Sequence, residues 1–245
     1  MTYCVGMLLD AGLVFLADSR TSAGVDQVST FRKISVFEKV GERVLVLLSA
    51  GNLSISQSLV SLLKERMAQP DAVTLMTASN MFEAVRHVGE VLRGIHSHDA
   101  DALKGHNVEF NASFIFGGQI GGEPPRLFSM YAPGNFIEAT GDTPYFQIGE
   151  SKYGKPIIDR VVTRSASIAQ AAKCALISMD STIRSNLSVG LPLDLLTIKR
   201  DALRVQNHIN IDESHAYFRM IRSRWSESLR HAFHELPDPE WLRQS

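Results

Sequence analysis

A 245-residue chain with 44% hydrophobic and 21% charged residues has the make-up of a globular protein with a sizeable core. Its formal net charge of −1 and its lack of a Lys/Arg block argue against nucleic-acid and anionic-membrane partners, and no stretch reaches the roughly 18 apolar residues of a membrane span. Cys4 and Cys174, far apart and in no metal-ligand spacing, predict a reduced, cytoplasmic protein rather than a disulfide framework.

The apolar N-terminus has no basic n-region and is interrupted by Asp10, so no signal peptide is expected. It reads as two strands, 2–9 and 13–17, joined by a hairpin turn at Asp10-Ala11-Gly12. A second pair, 34–40 and 43–49, turns at Gly41-Glu42. The period then changes. Ser54 with Gln57 makes a capping-box pattern, and Ile55, Leu59, Leu62, Leu63 and Met67 recur at helical spacing until Pro70 stops the helix. Met81, Val85, Val88, Leu92 and Ile95 predict a second helix that fades into a polar loop at 97–105. His96 and His98 there, and His231 and His234 one turn apart, read as surface histidines, since no third metal ligand lies nearby in a fitting pattern.

Four more strands follow at 109–116, 126–131, 136–139 and 145–148. The Gly-rich run 117–122 lacks the Lys-Ser/Thr of a phosphate loop and predicts a flexible hairpin tip. Helices are predicted over 153–162, with Pro156 in the first turn, and over 167–187, with a capping box at Ser167 and Gln170 and a stripe through Ile168, Ala172, Ala175, Leu176, Met179 and Ile183. Strands at 193–199 and 202–209 precede an amphipathic helix over 212–234 carrying Phe218, Ile221, Trp225, Leu229 and Ala232. Strands and helices come in blocks, which disfavours a doubly wound parallel sheet. The order predicts an α+β fold of two packed antiparallel sheets with helix pairs outside. No linker divides the chain, so one domain is expected over 1–236, with a tail at 237–245.

Thr2 follows Met1 directly, and a small side chain there permits removal of the initiator. Thr2 would then carry a hydroxyl and a free α-amine on one residue; such an amine titrates near about 7.7 and serves as a base at neutral pH. Asp18 ends the second strand within Leu16-Ala-Asp-Ser-Arg-Thr-Ser-Ala-Gly24, where a carboxylate could also merely cap a turn. Arg32-Lys33 precedes the third strand. Leu48-Ser-Ala-Gly-Asn52 joins a strand to a helix, where a Gly N–H can face a developing oxyanion or simply make a turn.

In this order, these segments resemble the active subunits of the proteasome β-subunit superfamily. The shared features are Thr at the mature N-terminus, Ala-Asp-Ser-Arg-x-x-Ala-Gly, the basic run at Thr30–Lys33, and Ala-Gly before the first long helix. The resemblance covers most of the chain, and the short Met-Thr-Tyr-Cys start and long C-terminal helix point to the bacterial Anbu subfamily, the ancestral β subunit. It implies a four-layer αββα sandwich, the N-terminal nucleophile hydrolase fold, and a threonine-type peptidase with peptide or protein substrates and no metal or organic cofactor. It also implies a homo-oligomeric ring or open helical assembly, with room for an unidentified unfoldase.

By that resemblance Thr2 aligns with the nucleophile, Lys33 with the active-site lysine, Asp18 with the acid that orients it, and Gly51 with the oxyanion donor. Lys33 beside Thr2 would disfavour protonation of the amine and stabilise an alkoxide. Ser22 falls on the strand that hydrogen-bonds substrate, and Thr21, Phe31, Ser35, Ser49 and Leu53 would line the side-chain pocket. The family's Gly-Ser-Gly turn, whose Ser reaches the Thr amine, reads Ile148-Gly-Glu-Ser-Lys152 here, leaving Ser151 or Glu150 in that place. Asp180 aligns with a late-helix Asp whose usual Ser partner is replaced by Ile183, with Ser181 or Ser185 as substitutes. The Asp18–Lys33 spacing is one residue shorter than usual. An amidase acting on small amides and a catalytically silent scaffold are the rival readings; retention of Asp18 and Lys33 argues against the scaffold.

Overall fold

A computed structural model of the chain describes residues 1–22, 28–69, 73–106 and 109–242. In chain order the strands and helices are β1 (Tyr3–Leu9), β2 (Gly12–Asp18), β3 (Arg20–Ser22), β4 (Val28–Thr30), β5 (Ile34–Lys39), β6 (Arg43–Gly51), α1 (Leu53–Met67), α2 (Met81–Gly105), β7 (Ala112–Ile120), β8 (Arg126–Met130), β9 (Phe136–Glu138), β10 (Tyr145–Gly149), α3 (Lys155–Val161), α4 (Ile168–Ser185), β11 (Leu193–Lys199), β12 (Asn207–Ile211) and α5 (Ala216–Glu235). A short 3-10 turn covers Glu240–Leu242.

Two five-stranded antiparallel sheets, ordered β10-β1-β2-β11-β12 and β5-β6-β7-β8-β9, stack face to face. Alternation along the strands assigns each residue to a layer. In β1, Tyr3, Val5, Met7 and Leu9 face the helices α3, α4 and α5, while Cys4 and Leu8 face the other sheet. In β6, Leu45 and Leu47 pack under α1 and α2, while Val44, Val46, Leu48 and Ala50 meet β1 and β2. Both faces of these strands are therefore buried, which is why they read as unbroken apolar runs. This is the expected αββα sandwich. No helix among the described residues is long and apolar enough to cross a membrane.

Several local expectations are corrected. The α1 cap is Asn52, whose side chain accepts from the Ser54 N–H at 2.9 Å, two residues before the predicted capping box. The helix ends at Met67, and Pro70 lies outside the described residues. The predicted loop at 97–105 is instead the last turns of α2, because Leu103 extends the Ile95 stripe onto the same core and His96 stacks edge-on against Phe110. The glycine run is half strand: Gly117 and Gly118 pair with β6 on one side and β8 on the other, and only Gly121 and Gly122 remain in the turn. β12 starts at Asn207 rather than 202, because Asp201 (φ 62°) and Leu203 (φ 47°) turn the backbone left-handed. Gln119 holds that turn through both its amide groups on Asp201. α5 begins at Ala216, capped by His215. The three-residue strands β3 and β4 are too short to leave a periodic signal.

Candidate active site

Thr2 stands at the foot of β1, beside a cavity of about 430 Å³ between the edges of the two sheets. Its position is fixed from both neighbours. The Tyr3 ring is fully buried, its hydroxyl lies 2.6 Å from Ser178 Oγ of α4, and it also accepts from the Gln147 amide of β10. Burial pushes the Tyr3 phenol well above its ordinary range, so it stays a neutral anchor. On the other side, the Thr2 carbonyl accepts from the Glu150 N–H at 2.7 Å. That approach depends on Gly149, whose φ is +79° and whose added Cβ would lie 1.9 Å from the Thr2 oxygen.

Asp18 ends β2 and is buried. Its Oδ1 accepts from the Tyr3 N–H at 3.0 Å and from Lys33 Nζ at 2.7 Å, and its Oδ2 accepts a longer bond of 3.4 Å from the Gly190 N–H. Burial raises the Asp18 carboxyl above the ordinary aspartate value, against the opposing pull of the Lys33 ammonium and the two backbone donors. Lys33, 7% exposed, also donates to the Arg20 carbonyl at 2.7 Å. Two of its three N–H donors are thus engaged, and Lys33 lines the cavity with Thr2. The Ser49 N–H donates to the Lys33 carbonyl at 3.1 Å, which docks the start of β5 onto β6.

Gly51 closes β6 at the same cavity, with φ +103° and with Asn111 O 2.3 Å from where a Cβ would sit. Thr21, Ser49 and Leu53 also line it. Ser22 pairs with Val28 along the small β3–β4 ribbon. Phe31 is 38% exposed and, like Ser35 on β5, does not line the cavity.

The two helper positions fall differently from the first choice. Glu150 lines the cavity and Ser151 does not. Ser151 faces the α3 entry, its carbonyl accepting from the Lys155 N–H at 2.9 Å. Asp180 is likewise not brought to the cavity. It is fully buried in α4 and clamped by Arg184 Nε at 3.1 Å and Arg222 Nε at 2.9 Å, so it ties α4 to α5. Ile183 packs on the outer core, the Ser181 hydroxyl donates back to Ile177 O at 3.1 Å, and Ser185 is exposed. The residues that sequence reasoning missed are Tyr3, Gly149, Asn186 and Gly190. Gly149, the last residue of β10, was the one local sign among them.

The arrangement places a hydroxyl residue, a charged lysine held by a buried aspartate, and a glycine at a strand-to-helix junction around one cavity. That set suits addition of a hydroxyl to a carbonyl with charge stabilisation nearby. Cys4, although adjacent, is no rival nucleophile: it is fully buried, burial pushes its thiol far up, and its Sγ lies 3.7 Å from Ser49 O.

No family model matches the chain. Among curated proteins it is similar to the proteasome subunit beta of Haloquadratum walsbyi, 22% identical over 217 residues, 86% of this chain and 79% of that protein. Among solved structures it is similar to Anbu (ancestral beta-subunit) from Yersinia bercovieri, with 52% identity, 97% of this chain and 99% of that chain covered, and a TM-score of 0.92. A structure described as the helical assembly of the Anbu complex from Pseudomonas aeruginosa matches with 49% identity, 97% and 98% coverage, and a TM-score of 0.92.

Proposed function

The chain belongs to the Anbu family of proteasome-type β subunits, relatives of the N-terminal nucleophile hydrolases, and on that premise we propose that it is a threonine peptidase whose nucleophile is Thr2 Oγ once Met1 is removed. The observation that carries this reading is the shared acceptor: Asp18 Oδ1 takes both Lys33 Nζ and the Tyr3 N–H, so one carboxylate aligns the lysine with the residue next to Thr2.

In the proposed reaction the freed Thr2 amine, through a water, takes the hydroxyl proton as Oγ attacks the peptide carbonyl. Lys33 stabilises the developing alkoxide, and the Gly51 N–H faces the oxyanion. The amine returns the proton to the leaving nitrogen. Water then hydrolyses the ester and restores Thr2. Every step uses groups of the chain itself and water. Thr21 and Ser49 stand where they would contact the substrate peptide.

The proposal includes assembly of several copies, supported by the Pseudomonas relative described as a helical assembly and by Leu229, Phe233 and Leu236, which stand exposed on and just beyond α5. Sedimentation of a concentration-independent monomer would overturn that part. The peptidase is tested with the Met1-free chain and a β-lactone or epoxyketone electrophile. One adduct on Thr2 is expected, absent in Thr2→Ala. Undiminished turnover in Thr2→Ala would place the nucleophile elsewhere.

A further inference from the structure

Among the described residues that line the cavity with Thr2, Glu150 is the carboxylate that the proposed mechanism leaves idle. Its side chain is 10% exposed, which is unusual for a glutamate at a cavity wall unless something holds it. Asn186, just past α4, donates its amide to Glu150 Oε2 at 2.8 Å, and Lys152 Nζ approaches Oε1 at 3.4 Å. An ionised carboxylate accepts about four hydrogen bonds, so Glu150 keeps acceptor capacity on the cavity side. The same Asn186 amide lies 3.6 Å from Met1 Sδ. The Met1 side chain therefore occupies the space in front of the Glu150–Asn186 pair, while the Glu150 N–H grips the Thr2 carbonyl from behind.

We infer that removal of Met1 leaves the α-ammonium of Thr2 facing the Glu150 carboxylate, and that Glu150, oriented by Asn186, binds this amine and sets the pH at which it becomes a base. The inference rests on the Thr2 reading above and adds its proton-holding partner. The hydroxyl of the neighbouring Ser151 does not line the cavity, so a charged acceptor here does what a neutral one was expected to do.

The charges around the amine oppose one another. Lys33, from the start of β5, favours the neutral amine. Glu150 favours the ammonium. Asp18, on β2, is occupied by Lys33 and the Tyr3 N–H, and Arg20, on β3, is directed to Leu187 O at 3.0 Å. Lys152 partly offsets Glu150 from the loop. An opposite charge within about 4–6 Å moves a titration by about 1–3 units, so Glu150 is the larger lever on the ammonium side.

The test is competitive acetylation of the α-amine across pH in the Met1-free chain, read by mass spectrometry, which needs no turnover. Glu150→Gln should lower the titration midpoint by about one unit or more, and the acid limb of electrophile labelling should move down with it. Asn186→Ala, which leaves the Glu150 backbone bond to Thr2 in place, should shift both in the same direction by less; it also serves if Glu150→Gln does not fold. A midpoint unchanged or raised in the folded variants overturns the inference. Labelling of Thr2 together with an unmoved midpoint would leave the peptidase reading standing. A shifted midpoint without labelling would do the reverse.

Discussion

The Tyr3 hydroxyl and Ser178 Oγ lie 2.6 Å apart, so the residue after Thr2 is tied to the middle of α4, 175 positions away in sequence. The contact is buried and includes the Gln147 amide. Tyr3→Phe removes the shared partner and takes it from the buried Ser178 and the half-buried Gln147. The expected cost is about 1–3 kcal/mol in denaturant unfolding, with slower labelling of Thr2. A variant as stable as the parent would show that Ser178 and Gln147 find each other or water without the phenol.

The Asp18–Lys33 pair separates stability from activity. Asp18→Ala leaves the buried Lys33 ammonium and the Tyr3 N–H without their shared acceptor and is expected to lose about 3–5 kcal/mol. Adding Lys33→Met removes the stranded charge, and the double variant should recover the parent's stability or exceed it by about 1–4 kcal/mol. Labelling should fall by on the order of 10² or more in both, because charge stabilisation at the reacting oxygen is gone. Losses that simply add in the double variant would mean the two side chains do not act as a pair.

Gly149→Ala tests the clamp on Thr2. A methyl group there meets the Thr2 carbonyl at 1.9 Å, at a φ of +79°. The backbone must shift, and a cost of about 1–3 kcal/mol is expected, with loss of the Glu150 bond and of labelling. Gly141→Ala is the control, since a Cβ there meets nothing within 4 Å. Equal behaviour of the two variants would remove the clamp from the account.

What the chain discloses on inspection is local. Asp18 and Lys33 stand in short segments with recognisable neighbours, so both could be singled out as candidates before their contact was known. The αββα order was equally plain, because the central strands bury both faces and the helices carry stripes. The Tyr3–Ser178 bond, the Gly190 donor to Asp18 and the Asn186 contact to Glu150 span 175, 172 and 36 positions respectively, and no local pattern announces them. Asp180 misled because its neighbours in sequence look right, whereas Arg222 of α5 decides its direction. Residues 97–105 misled because polar composition suggested a loop, while a single Leu103 on the core side sufficed to continue α2.

Acid should switch the site off before it unfolds the chain. Burial holds Asp18 above the ordinary aspartate value, so the folded state takes up this proton more readily than the unfolded chain does. With the folded value raised, this group's contribution to stability is full below the unfolded value and is lost as pH rises through the folded one; protonating it does not drive unfolding. Protonation does remove the charge that holds Lys33. Glu42 and Asp159, by contrast, are kept below their ordinary values by Lys39 and Lys155, and their stabilising contributions fade only as pH falls through those depressed values. Between these limits the protein should be folded, unreactive and fully recoverable on return to neutral pH. Circular dichroism and electrophile labelling on the same samples check this. Coincident loss of both signals would contradict it.

The last prediction concerns Met1. While Met1 is attached, the Thr2 nitrogen is an amide, with no basic lone pair to accept the hydroxyl proton. The Met1 side chain also fills part of the cavity wall, against Asn186. The folded core does not depend on it: Met1 is 64% exposed, and Tyr3 supplies the anchor to α4 and β10. The unprocessed chain should therefore fold and assemble as the processed one does, yet fail to label or turn over. The processed chain should gain activity as pH rises through the amine's titration, near neutrality. Placing a bulky residue between Met1 and Thr2 blocks processing, and intact mass reports which form is present. A Met1-retaining chain with full activity would rule out the Thr2 amine as the base even if Thr2→Ala were dead, and the base would then be sought among Lys33, Glu150 and Met1, which line the same cavity.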